Sequence, residues 1–250
     1  MPNSVAVVTA GESAVPDVRT RARDRFYVAM SGALLFIVVG GFAPTFSLRV
    51  LFQTDELPLY LHVHGAILTA WYALAFTQTC LALVGRTHWH RRLGAGAVLV
   101  ALAVVAAGSV VLANFVPRNA GESGSAPVGV IFFGDGAILI AFAIFIGAAL
   151  LARRRPETHK RLMLLASLSV VGPAVSRWGT FGFLAFAPPV AFSIGGVVVL
   201  MAIMIGHDVI AIRRVHSATT YGWITFWVLV FGAIAFSRTQ FADALLAKMT

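Results

Sequence analysis

Seven apolar runs, each long enough to cross a lipid bilayer, constrain this chain more than any other feature. A transmembrane helix needs about 20 predominantly apolar residues. The runs cover roughly residues 26–48, 58–84, 93–115, 128–152, 160–178, 186–206 and 221–238. A spanning segment in lipid must satisfy its own backbone hydrogen bonds, so each run is expected to be a helix. Composition agrees: 59% of the 250 residues are hydrophobic and 12% charged, against roughly 25% charged in soluble domains. The expected fold class is therefore an all-α membrane protein, a seven-transmembrane helix bundle. Its expected organisation is a disordered tail over 1–25, a transmembrane domain over 26–240 and a short C-terminal tail over 241–250.

The gaps between runs carry the breakers expected of loops, NFVPRNAGESGSAP after the third and RRRPETHK after the fourth. Pro156 is expected to end the fourth helix, and Glu157 or Thr158 to cap the fifth. Arginine placement sets the orientation. Arg19, Arg21, Arg23, Arg25, Arg86, Arg91, Arg92, Arg153, Arg154, Arg155, Lys160, Arg161, Arg213 and Arg214 fall on one side of the bundle. Only Arg49, Arg118, Arg177, Arg238 and Lys248 fall on the other. By the positive-inside rule the richer side is cytoplasmic, which places the N-terminus inside and, after seven crossings, the C-terminus outside. The first 24 residues lack the order of a signal peptide, so the first run is expected to serve as an uncleaved anchor. A net charge of +9 would point to nucleic acid in a soluble chain. Here the cations flank apolar runs, so the expected partners are the bilayer and its anionic headgroups at the cytoplasmic face, not nucleic acid.

Two turns share a pattern. His90-Arg91-Arg92-Leu93 leads into the third run and His159-Lys160-Arg161-Leu162 into the fifth, with Arg213-Arg214-Val215-His216 a fainter third instance. A weakly repeated helical hairpin is the simplest reading. The segments GRTHWHRRLG and RRRPETHKRLMLLA resemble turns of uncharacterised polytopic proteins of the bacterial inner membrane. The resemblance extends loosely from the second helix to the seventh. It implies a multi-pass protein of that membrane and carries no activity with it.

Ionisable groups inside a membrane are costly and point to function. His62 and His64 lie near the start of the second run. Asp135 stands about seven residues into the fourth, roughly 10 Å deep at the helical rise. Arg177 closes the fifth. A lone carboxylate at that depth calls for a cation or a proton, so Asp135 is expected either to pair with Arg177 as a structural link or to face a ligand pocket. The flanking Gly134 and Gly136 would let a neighbouring helix approach. His64, Trp71 and Gln78 recur every seven residues, drifting only about 20° per step, and form one inward stripe. His62 is rotated about 200° from His64 and reads as interfacial.

The expected function is a non-enzymatic binding, sensor, accessory or carrier module whose outer-half pocket uses His64, Trp71, Gln78, Asp135 and Arg177 for ligand binding or proton coupling. A b-type haem protein is the alternative, with His159 and His207 paired at helix ends near His90. A His/Asp metal enzyme is a further one, drawing on the same histidines with Asp208. No histidine pair has the i, i+4 spacing of a zinc-binding HExxH helix. The five histidines outside the second run are otherwise expected to be solvated. Cys80, the single cysteine, lies in an apolar run and allows no intrachain disulfide. No phosphate-binding loop or nucleophile elbow is present.

Overall fold

Apolar continuity sets the element lengths. A computed structural model describes residues 18–52, 56–119, 128–180 and 187–249, which are helical with no strand among them. The chain runs α1 (Val18–Phe42), a π-helical turn (Ala43–Ser47), α2 (Arg49–Phe52), α3 (Leu59–Leu83), α4 (Thr87–Arg118) and α5 (Val128–Leu151). It continues through α6 (Pro156–Ser169), α7 (Gly172–Trp178), α8 (Pro189–Ile212), α9 (Ser217–Phe236) and α10 (Gln240–Ala247). Six of these helices are long and apolar enough to cross a membrane. The protein is thus an all-helical, multi-pass membrane protein.

Several boundaries differ from expectation for local reasons. α1 begins at Val18, within the span read as a tail, and residues 1–17 lie outside the described ones. α4 runs on to Arg118, with Pro117 inside its last turn. Residues 120–127 of the loop that follows lie outside the described ones. Pro156 does not end the preceding helix, because α5 has already stopped at Leu151. It sits in the first turn of α6, where its missing N–H costs nothing. Neither Glu157 nor Thr158 caps that helix, whose N-cap is Arg155. The C-terminal tail is partly helical, as α10. Gly85, at φ 74°, makes the tight turn from α3 to α4 in a conformation that side chains rarely adopt.

The expected fifth span is broken in two. Pro173 has no N–H to offer Ser169, so the ladder fails between α6 and α7. The neighbouring α3 holds the last turn of α6: the Tyr72 hydroxyl donates to the Ser167 carbonyl at 2.7 Å, and Trp71 Nε1 donates to the Ser167 hydroxyl at 3.2 Å. Breaks of this kind are tolerated in a membrane where other helices satisfy the freed backbone.

Packing centres on α5 and α6, where Ala141, Phe142, Ala149, Ala166 and Leu168 are fully enclosed. Lipid offers no hydrophobic drive for helices to associate, so close approach at small residues matters. A methyl group on Gly41 would lie 2.5 Å from the Ala174 carbonyl, and Gly196 and Gly222 are closed off by Val175 and Leu165. Gly134 and Gly136 do not act this way: nothing lies within 4 Å of a Cβ placed on either.

Candidate ligand-binding cavity

The helix ends farthest from the arginine-rich turns enclose a cavity of about 670 Å³. α3 contributes one wall from Tyr60 to Tyr72 and α4 another from Val104 to Arg118. The α3 wall alone spans roughly 18 Å at 1.5 Å per residue. α1, α2, α5 and α7 close the remainder. The lower walls are apolar, with Leu68, Val111, Leu112, Ile138 and Leu139 among them. The volume falls within the roughly 300–1,000 Å³ of pockets that hold small organic ligands.

His64, Asp135 and Arg177 all line this cavity. They meet around its space and not each other: among the described residues, none of the three forms an ion pair within 4.0 Å. The direct Asp135–Arg177 link is therefore not formed, although the two charges still act on each other electrostatically. The Arg177 guanidinium lies over the Phe42 ring, 5.5 Å from its centroid. His64 Nδ1 is buried without a hydrogen-bond partner.

Trp71 and Gln78 stand elsewhere. The stripe they form with His64 runs fourteen residue steps along α3, about 21 Å, so its members occupy different depths. Trp71 is buried in the core, edge-on to Phe142 with ring centroids 5.0 Å apart. Gln78 is near the arginine-rich end, its buried Oε1 unpartnered and its carbonyl 3.3 Å from His90 Nδ1. His62 is exposed, 5.8 Å from the Phe46 ring.

The histidines at the arginine-rich end are not uniformly solvated. His90 and His159 are half-buried, each with Nδ1 against a carbonyl of the preceding helix, Gln78 at 3.3 Å and Ala149 at 2.8 Å. His207 stacks on Phe26 with ring centroids 3.8 Å apart. Among the described residues, no three of His, Cys, Asp and Glu gather in a group able to hold a metal.

Two features escaped the sequence reading. The cavity mouth is built by Arg49, Glu56, Tyr60, Arg118 and Asn119 together with Arg177. Three of these belong to the few cations on the poorer side, and that shared oddity was the available signal. The second is an enclosed ion pair. Arg161 Nη2 and Nε donate to Asp208 Oδ1 at 2.6 and 3.0 Å, and the Thr219 hydroxyl donates to Oδ2 at 2.6 Å. Both charged side chains are 1% exposed. Glu157 and Lys160 extend the network to Asp24 on α1.

Comparison with known proteins finds no family model, no curated protein and no solved structure that matches this chain.

Proposed function

We propose that the protein is a small-molecule binding or carrier module of the bacterial inner membrane, working through the cavity that His64, Asp135 and Arg177 line. One observation carries this reading: two ionisable side chains from different helices, an imidazole and a carboxyl, line one cavity and, among the described residues, form no ion pair with each other. Such groups are costly in a membrane unless they serve a ligand or a proton. Asp135 and His64 are the groups that would exchange a proton or hydrogen bond with the occupant.

In this reading α6 and α7 together form a seventh crossing, with the N-terminus cytoplasmic and the C-terminus outside. Contacts at the two ends of the pair support it. Arg161 near the start of α6 reaches Asp208 beside the arginine-rich turns, while Trp178 at the end of α7 donates to the Ile37 carbonyl far along α1. The cavity then opens toward the outer leaflet.

Native mass spectrometry of the purified full-length protein tests the binding reading. Leu112→Trp would fill the cavity without touching the polar residues, and Asp135→Asn would remove the carboxylate while keeping its shape. The wild type is expected to retain a small-molecule adduct that both variants lose while staying folded. Identical adduct patterns in all three proteins would sink the proposal.

A further inference from the structure

The long helices sort into two groups. α1, α3, α4, α7 and α8 pack as one series of neighbours, and α5, α6 and α9 as another. The groups meet along α4 and α5, and more sparsely where α6 touches α1 and where α8 touches α6 and α9. The cavity lies between them at one end, with Asp135, Ile138 and Leu139 of α5 facing walls from α3, α4 and α7. Farther along, Trp71 and Tyr72 of the first group hold Ser167 of the second, beside the break between α6 and α7 where the chain passes from one group to the other. At the arginine-rich end the groups are clasped by charge. Arg161 on α6 pairs with Asp208 on α8 at 2.6 Å, and Lys160 on α6 with Asp24 on α1 at 3.0 Å. Asp208 also accepts from the Thr219 hydroxyl and the His216 N–H at the start of α9, at 2.6 and 3.1 Å.

A buried ion pair is a poor device for stability alone, since apolar residues of similar volume hold helices as well; its best-attested use is to set a register or a switch. Membrane carriers with broken helices alternate by rocking one bundle against another around a central site. The parts of such a carrier are present in order along this bundle: a cavity at one end, a broken helix in the middle, and a polar clasp at the other end whose groups water can solvate once they part. We infer that the protein transports its ligand by alternating access. The Arg161–Asp208 and Lys160–Asp24 pairs are the gate that closes the arginine-rich end while the cavity is open at the opposite one. When the pairs part, α5, α6 and α9 tilt about Ser167 and the break, and the cavity opens to the arginine-rich side. The inference rests on the binding reading above and adds passage of the ligand across the membrane.

Cysteine accessibility in the full-length protein tests it, in membrane vesicles of both orientations and a Cys80→Ser background. The probe is a charged, membrane-impermeant methanethiosulfonate. Thr69→Cys reports on the cavity wall and Ala141→Cys on the enclosed core. Two lesions break the gate separately. Asp208→Asn removes the buried carboxylate, and Asp24→Asn with Lys160→Gln removes the partly exposed pair, which stands in where the first variant fails to fold. With the gate intact, Thr69→Cys should react only from the face opposite the arginine-rich turns. Either lesion should speed its reaction from the arginine-rich face by at least about tenfold, because the state open to that face becomes more populated, while Ala141→Cys stays unreactive. No gain from that face with either lesion overturns the gate, and so does a gain that Ala141→Cys shares, which reports lost packing. If Thr69→Cys still reacts from the opposite face in that case, the binding reading survives and only transport fails. If Thr69→Cys reacts from neither face in any variant, the cavity is out of reach of both sides and both readings fall.

Discussion

At the scale of single residues, Arg161 and Asp208 matter most to the stability of the bundle. Two charges in an enclosed site are expensive to desolvate, and they persist because the guanidinium, the Thr219 hydroxyl and the His216 N–H together satisfy the carboxylate. Removing one partner strands the other. Arg161→Met is expected to cost about 3–5 kcal/mol, read as a drop in the detergent unfolding midpoint. The double variant Arg161→Met with Asp208→Asn should recover part of that loss. Exposed Arg153→Gln should shift stability by no more than about 0.5 kcal/mol. A loss for Arg161→Met no larger than for Arg153→Gln would refute the assignment. The sequence could not separate these two arginines. Both sit in the same basic turn, and what distinguishes Arg161 is a carboxylate 47 positions along the chain on another helix. Asp135 was more legible, because its cost depends only on its own depth in an apolar run. Its neighbours around the cavity depend on how six helices meet, which no local pattern encodes.

At the scale of elements, the start of α9 shows how a helix end is held by a titratable side chain. His216 is its N-cap: Nδ1 accepts from the Ala218 N–H at 3.1 Å, and its own backbone N–H donates to Asp208 at 3.1 Å. An imidazole can accept there only while Nδ1 is unprotonated. Burial, then the positive charge of Arg161, lowers its pKa below the ordinary 6.5, with Arg214 acting the same way and Asp208 and Glu157 opposing them. The unfolded chain therefore binds the proton more readily than the folded one. The contribution of this cap is complete above about pH 6.5 and is lost as pH falls through the folded-state value. Its size is that of a cap, about 1 kcal/mol. The wild type should lose stability between neutral pH and about pH 5.5, in unfolding titrations, by more than His216→Asn, which caps without titrating. Parallel pH profiles for the two proteins would exclude the mechanism. Element positions themselves followed well from apolar runs, since length and hydropathy decide what can span. The break between α6 and α7 did not, although Gly172-Pro173 marks it. A broken membrane helix needs partners for its last carbonyls, and here Tyr72 on another helix supplies one to Ser167.

At the scale of the whole molecule, function depends on which end of the bundle faces out. The arginine-rich turns gather at one end with the start of α1, where Lys160 pairs with Asp24 at 3.0 Å. α10 lies at the other end, with Leu246 against Gly129 at the start of α5. The chain ends can lie on opposite faces of a membrane only if it crosses an odd number of times, and that requires the broken pair α6–α7 to count as a crossing. The same arrangement would put the cavity mouth, and its three arginines, in reach of molecules outside. Single cysteines in a Cys80→Ser background test both points with a membrane-impermeant maleimide on right-side-out vesicles. Glu56→Cys and Lys248→Cys should label without permeabilisation, whereas Arg25→Cys and His88→Cys should label only after it. Labelling of Arg25→Cys and Lys248→Cys from the same face would mean an even number of crossings, and α6–α7 would then be a re-entrant element. Protection of Glu56→Cys until permeabilisation would turn the cavity mouth to the inside.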